Sequence, residues 1–402
     1  MKGVAVFGST GAIGRHTLEV VRHLNTEFRV SALVANQNVR GLAEQARRCA
    51  PDFAVIAGEA GFGALKAALR GTRVRALPGV EGMSRVAASP KTDVVVMALS
   101  TTIGLEPTLT ALAARKRVAI ATKEIIVSFG SVVMNRARQA GAEILPIDSE
   151  LSAILQCLEG RDRKEVSRVI LTASGGPFGG HATGRRGVRK AERGRLTVER
   201  ALQHPTWQMG RKITVDSATM MNKGLEMIET ARYFGIEPDR IEVLVHPQSI
   251  VHSLVEFQDG SILAQLALPD MRLPIQYALT FPRRLPGIVA RTRLETLRDL
   301  SFHPPDLKRF PCLGLATRAL HQDGLMPCIL NAANEKAVNA FLDLRLSFEQ
   351  IPEAVSRTMR AFSNCINPSL GRLVAAEEAA GHEAEDVCRR MGDDLELHRI
   401  VR

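Results

Sequence analysis

Tryptophan and tyrosine are nearly missing from this 402-residue chain, which has one Trp, two Tyr and an aromatic content of 4%. Single-stranded nucleic acid is gripped largely by bases stacked on aromatic rings, so that class of partner finds little to hold. Long apolar runs are missing too: none reaches the roughly 18 residues that cross a bilayer, which argues against a membrane-spanning helix. The six cysteines (Cys49, Cys157, Cys312, Cys328, Cys365, Cys388) form no C-x-x-C pair and have no histidine at ligand spacing. Zinc-ribbon and disulfide-framework architectures are therefore unsupported, and the cysteines read as small reduced core residues. A leader segment is not evident either. "MKGVAVFGSTGAIG" runs straight from a short apolar stretch into glycines, the pattern of a first β-strand, and a cytoplasmic location is expected.

What the chain does have is an ordinary globular make-up, 45% hydrophobic and 24% charged, long enough for two or three domains. Its 53 Lys and Arg against 42 Asp and Glu give a net charge of +11, which favours anionic partners such as phosphorylated small molecules. Nucleic acid is not expected, because the basic residues are spread out. The exception is "GRRGVRKAERGRL" (184–196), read as a surface insertion.

Up to residue 147, six apolar runs rich in Val and Ile ("GVAVFG", "RVSALVA", "FAVIA", "DVVVMAL", "RVAIAT", "AEILPI") alternate with helical patterns. Continuous apolarity marks strands buried on both faces, and strand–helix alternation implies a doubly wound parallel sheet of the Rossmann kind. From 168 the character changes. "SRVILTASGGPF" reads as a strand ending in a glycine turn, and "SIVHSLVEF" and "SILAQL" flank "QDG" as a hairpin, so a central α/β domain with a mixed sheet is expected. A proline-dotted linker follows over 283–311, and then a small C-terminal helical domain over 312–402.

Gly8, Gly11 and Gly14 follow the first strand as G-x-x-G-x-x-G, a variant of the dinucleotide fingerprint. A merely structural tight turn is the alternative. After the second strand, Asn36-Gln37-Asn38 offers no acid for a ribose 2′-hydroxyl, and Arg40 stands close by. This favours NADPH over NADH, against the plain reading of an unselective polar loop. "PIDSE" places Asp148 and Glu150 around Ser149 at a strand end. Two acids flanking a serine are commonly a helix cap; alternatively, in an extended segment both would face one ion. In "SATMMNKGLE", a helix starting near Ser217 would gather Asn222, Lys223 and Glu226 on one face.

These stretches, with TKE (122–124), LTASGGPF (171–178), HPTWQMGRKITVDSATMMNKGLE (204–226), HPQSIVHS (246–253), PDMRLPIQYAL (269–279) and LNAANE (330–335), closely resemble the 1-deoxy-D-xylulose 5-phosphate reductoisomerase family along nearly the whole chain. The resemblance implies an NADPH- and divalent-metal-dependent oxidoreductase of non-mevalonate isoprenoid biosynthesis. Such an enzyme rearranges 1-deoxy-D-xylulose 5-phosphate and reduces it to 2-C-methyl-D-erythritol 4-phosphate. The alternative is a reductase of the same fold acting on another hydroxylated or phosphorylated carbonyl compound. The domains implied are NADPH-binding (1–147) and catalytic, with metal and substrate sites and a flap near 204–211 (148–282). By resemblance Asp148, Glu150 and Glu226 hold Mn²⁺ or Mg²⁺. Lys123, Ser149, Glu150, Ser174, His204, Trp207, Met209, Ser217, Asn222, Lys223 and Glu226 meet substrate, with Ser174, Ser217, Asn222 and Lys223 as the phosphate set. Gly8, Ser9, Thr10, Gly11, Ala12, Ile13, Asn36, Gln37, Asn38, Thr122, Glu124 and Gly210 meet the cofactor. His246 and His252 are assigned packing and hydrogen bonding alone. A sugar-phosphate substrate, no nucleic acid, no membrane and a homodimer complete the implied picture.

Two departures touch the cofactor. The family's N-K-E-S is Thr122-Lys123-Glu124-Ile125 here, and its G-K-N is Asn36-Gln37-Asn38, which removes a lysine. Weaker grip on NADPH, or weaker preference over NADH, is expected, with Arg40 as the residue that compensates.

Overall fold

The computed structural model describes residues 1–177, 196–204, 207, 209–297 and 299–400, with side chains to 393. The basic insertion expected at 184–196 lies outside the described residues except for Leu196, as do positions 205, 206 and 208 of the flap. Along the chain come β1 (Lys2–Phe7), α1 (Ala12–His23), β2 (Phe28–Ala35), α2 (Val39–Cys49), β3 (Phe53–Ile56), α3 (Phe62–Ala68), β4 (Arg75–Pro78) and α4 (Gly79–Ala87). Then follow β5 (Val94–Met97), α5 (Leu105–Ala113), β6 (Arg117–Ile120), α6 (Lys123–Ala140), β7 (Ile144–Pro146), α7 (Ser149–Leu158), β8 (Val166–Ala173), α8 (Val198–Ala201), α9 (Arg211–Thr219) and α10 (Met221–Phe234). The remainder is β9 (Ile241–Val245), β10 (Val251–Phe257), β11 (Ile262–Leu266), α11 (Arg272–Thr280), α12 (Pro311–Gln322), α13 (Met326–Leu342), α14 (Gln350–Arg360) and α15 (Leu370–Ile400).

The chain divides into two compact units. Unit 1 is residues 1–126, 131–155 and 270–291; unit 2 is 127–130, 156–269 and 292–402. Unit 1 holds a seven-stranded parallel sheet in the order β4-β3-β2-β1-β5-β6-β7. Apart from β4, its strands are rich in Val and Ile and mostly buried, as expected for a sheet covered on both faces. The order reverses between β1 and β5, and at such a switch point open α/β sheets bind ligands. Six of the seven strands were legible as apolar runs. β4, "RALP", is half-exposed at the sheet edge and carries no such run. α11 comes from far along the sequence, and its Ile275, Ala278 and Leu279 are buried in the same core as Leu18 and Val21 of α1.

Unit 2 is built on a mixed sheet, β11-β10-β8-β9. β10 runs antiparallel to β11 and β8, through the hairpin expected at Gln258–Gly260, and β9 runs parallel to β8. β9 was not singled out in the sequence. Helices α12 to α15 form the C-terminal part. Of the cysteines, Cys157, Cys312, Cys328 and Cys388 are buried, as expected for core residues; Cys49 and Cys365 are half-buried instead. Burial pushes the Cys312 thiol up to about 12. Among the described residues no helix is long and apolar enough to cross a membrane.

Candidate active site

In unit 1 the chemistry-bearing turns sit at the carboxyl ends of the strands. β1 ends at Phe7, and the Gly8 and Ser9 N–H groups both donate to Val34 O at 2.9 Å, which folds the chain sharply toward α1. Gly8 has φ +82°, a region that side chains disfavour, and a Cβ there would lie 2.2 Å from Ala98 O. A Cβ on Gly14 would lie 2.2 Å from Gly8 O and 2.5 Å from Ser9 Cα. The glycines are thus needed for helix α1 to start tight against the turn, with Gly11 as its N-cap and the N–H groups of Ala12 and Ile13 in its first turn. Asn36 to Asn38 follow β2 and are exposed, and Asn38 Oδ1 accepts from Gly41 N at 2.9 Å to cap α2. Arg40 pairs with Glu44 at 3.0 Å.

Thr122, Lys123 and Glu124 follow β6 and are buried, so Lys123-Glu124 is not a solvated strand exit. Thr122 Oγ1 donates to Leu99 O at 2.5 Å, which ties the β6 end to the β5 end where the family has an asparagine. Lys123 pairs with Asp148.

Asp148 answers both readings of "PIDSE". Its Oδ1 accepts from Glu150 N at 3.2 Å, a helix-capping contact at the start of α7, while its other oxygen meets Lys123. The expectation of an extended Asp–Ser–Glu segment is corrected: Ser149 and Glu150 are already in the first turn of α7. A helix start brings the two acids together as well as a strand would, because the cap residue folds back over that turn. Ser149 Oγ donates to Glu150 Oε2 at 2.6 Å.

In unit 2 the expectation of a helix beginning near Ser217 is also corrected. Ser217 lies in the last turn of α9, and a new helix, α10, begins at Met221. Met220 between them takes φ 59°, with its N–H donating to Ser217 O at 3.2 Å. This break redirects the chain, so Asn222, Lys223 and Glu226 ride on α10 alone. Glu226 accepts from Asn222 Nδ2 at 2.6 Å and pairs with Lys223. Both Lys223 and Glu226 are buried, and the pairing of the two charges offsets the cost of taking them out of water.

Ser174 ends the β8 turn. The Gly176 N–H donates to Ser174 Oγ at 3.1 Å, and Gly176 packs against the Ser217 backbone, so the two serines expected to meet the phosphate are near one another in this unit. The Trp207 N–H donates to His204 Nδ1 at 2.9 Å, which leaves the ring proton on Nε2, 3.1 Å from Ser174 Oγ. Ser174 therefore accepts from His204 and Gly176 and keeps its own proton to donate to an anion. Trp207 is half-buried with its ring 6.3 Å from that of His252; Met209 and the exposed Gly210 lead into α9.

Burial lowers the His204 pKa to about 4 from its ordinary 6.5. Between those values the unfolded chain binds the proton and the folded chain does not, so stability is full above 6.5 and falls as pH drops toward 4. Thermal melting should show this loss, and His204→Gln should flatten the profile in that window. A variant profile parallel to the parent's would refute the assignment. His246 behaves as expected of a packed histidine: fully buried, stacked on Phe302, with Nδ1 donating to Ser301 O at 2.9 Å.

Sequence reasoning missed Asp216. It is buried beside Ser217, accepts from Asn334 Nδ2 at 2.7 Å and pairs with Lys212 at 3.1 Å, and so fixes α9 to α13. Its signal was an acid inside an otherwise uncharged helical stretch, "ITVDSAT", matched by the polar pair in "LNAAN".

The chain matches three family models in succession. These are 1-deoxy-D-xylulose 5-phosphate reductoisomerase over residues 4–130, its C-terminal domain over 144–234, and the DXP reductoisomerase C-terminal domain over 266–383. It is 48% identical over 390 residues to the 1-deoxy-D-xylulose 5-phosphate reductoisomerase of Pelotomaculum thermopropionicum, covering 97% of this chain and 99% of the relative. The chain belongs to the 1-deoxy-D-xylulose 5-phosphate reductoisomerase family. The Heliobacterium modesticaldum member is 46% identical, with 99% of each chain covered. The solved structure of the Zymomonas mobilis reductoisomerase in complex with NADPH matches with a TM-score of 0.88 at 40% identity, over 96% of this chain and 99% of that one. A second reductoisomerase, in complex with NADPH, fosmidomycin and magnesium, matches at 0.89 and 35%, over 97% and 98%. The α/β architecture expected for the reductoisomerase family is the one observed.

Proposed function

We propose that this protein is an NADPH- and divalent-metal-dependent reductoisomerase that converts 1-deoxy-D-xylulose 5-phosphate to 2-C-methyl-D-erythritol 4-phosphate. The observation that carries this reading is that the candidate carboxylates Asp148, Glu150 and Glu226 each offer a ligand oxygen to one ion, in a chain of this family. The nucleotide part is residues 1–147, where the β1–α1 turn presents free N–H groups to a pyrophosphate, and the bound cofactor supplies the hydride. Asp148, Glu150 and Glu226 are the candidate donor set for the ion. Three carboxylates are hard oxygen ligands suited to Mg²⁺ or Mn²⁺, and an ion held there would supply Lewis acidity toward the substrate's hydroxyl and carbonyl oxygens.

The remaining work belongs to side chains. Ser174, Ser217, Asn222 and Lys223 form the phosphate cradle, with hydroxyl and amide donors around one ammonium. Lys123 pairs with Asp148, which sets its side chain next to the candidate donor set, where it would meet substrate. The neutral His204 donates through Nε2 to Ser174 Oγ, which orients that hydroxyl's proton toward substrate and does not suit proton supply at neutral pH. Trp207, Met209 and Gly210 belong to the segment that closes over substrate, which would exclude water from the hydride transfer. The protein acts as a homodimer in the cytoplasm on this reading.

The test is NADPH oxidation by the full-length protein with 1-deoxy-D-xylulose 5-phosphate and Mn²⁺ or Mg²⁺. We expect turnover that EDTA abolishes and added metal restores. Metal-independent turnover, or none with the folded protein, would remove the proposal in favour of a reductase with another substrate.

A further inference from the structure

We propose that Arg15, in the first turn of α1, is the residue that reads the 2′-phosphate of the dinucleotide in this chain; the inference rests on the NADPH reading above. An open groove of about 810 Å³ lies within unit 1, and Thr10, Arg15, Asn38, Gly41 and Gln45 are among the residues that line it. One wall is the fingerprint turn itself. Gln45 of α2 donates from Nε2 to Ser9 O at 2.8 Å, and Arg15 donates from Nη1 to Thr10 O at 2.5 Å. The guanidinium is therefore pinned at the turn where the dinucleotide's phosphates are expected. The groove also takes in Asn38 and Gly41, the capped start of α2, where the ribose end of a dinucleotide lies in folds of this kind.

The charges around this groove single out Arg15. Gln37 stands where the family pattern has a lysine, and it is exposed and uncharged. Arg40, the nearest cation in sequence, is committed to Glu44. Glu19, the other acid lining the groove, is paired with Arg272 at 3.2 Å. Arg29 is paired with Asp52 at 2.8 Å. Arg22 is seven residues beyond Arg15, roughly 10 Å further along α1, and Arg48 is in the last turn of α2, so neither stands at the fingerprint turn. Among the described residues Arg15 forms no ion pair, and its hydrogen bond to Thr10 uses one of five guanidinium donors. A fork held at one corner by a carbonyl is well placed to meet a phosphate dianion with two others, which a lysine on the β2–α2 turn could do only as a point charge. Recognition of the 2′-phosphate has moved from that turn to α1.

Calorimetric binding with the full-length protein separates the outcomes, using NADPH, NADH and 2′,5′-ADP as probes and Arg15→Met, Arg15→Lys and Arg40→Met as variants. Arg15→Met should weaken NADPH and 2′,5′-ADP by roughly tenfold to a hundredfold while NADH changes by less than about twofold. Arg15→Lys should recover part of the loss, and Arg40→Met should keep the parent's preference. A folded Arg15→Met protein with the parent's NADPH-to-NADH ratio overturns the assignment, as does loss of preference in Arg40→Met alone. A parent that binds both dinucleotides equally overturns this inference but spares the nucleotide site. A parent that binds neither overturns the NADPH reading itself.

Discussion

Glu226→Gln is expected to lower kcat by about three orders of magnitude, roughly 4 kcal/mol of transition-state stabilisation, while NADPH affinity stays within about twofold. The substitution keeps the side chain's shape and one acceptor oxygen, so Asn222 retains a partner. It removes the negative charge that a divalent ion and the buried Lys223 both require. The apparent affinity for Mn²⁺, read from activity against metal concentration, should fall in parallel. Stability should fall as well, because the buried Lys223 loses the charge of its Glu226 partner. Melting temperature and NADPH binding therefore have to be measured beside turnover. A folded variant with unchanged metal dependence would show that Glu226 is not a ligand.

Gly14→Ala should have the second largest effect, through backbone and not through chemistry. The added Cβ would fall 2.2 Å from Gly8 O and 2.5 Å from Ser9 Cα. Neither is the end of a flexible side chain, so α1 or the turn must move. Overpacking of this kind costs about 3 kcal/mol, and the displaced N–H groups no longer converge on a pyrophosphate. We expect NADPH binding to weaken by roughly a hundredfold, a magnitude set by that same strain, with the melting temperature lowered. Gly63→Ala is the control, since nothing lies within 4 Å of a Cβ there. Equal behaviour of the two variants would mean that the turn tolerates the methyl and that its glycines are incidental.

The parallel sheet was legible because strands buried on both faces must be apolar throughout, and "GVAVFG" or "DVVVMAL" cannot be mistaken for polar loops. β4 escaped because an edge strand need not be apolar. The candidate site residues were legible as residue types in motif order, but their local geometry was not. Periodicity cannot show that Met220 adopts a left-handed conformation, so one helix was read where α9 and α10 meet at a break. Nor could spacing decide between a cap and a ligand for Asp148, which has one oxygen on the α7 backbone and the other on Lys123. Asp216 was invisible for another reason: its partner Asn334 is more than a hundred residues away, and only folding reveals that the two satisfy each other. Arg15 likewise gained meaning only when Arg40, Glu19 and Glu44 proved to be engaged elsewhere.

The return of residues 270–291 to unit 1 has a consequence for how this chain is made. Synthesis proceeds from the N-terminus, and α1 emerges from the ribosome some 250 residues before Ile275, Ala278 and Leu279 of α11 can cover it. The nucleotide half therefore cannot close its apolar core while it is being translated. It must wait, with Leu18 and Val21 less than fully enclosed, until about half of the other unit has also left the ribosome. Vectorial folding, one domain after another, is denied to this polypeptide by the order of its own elements.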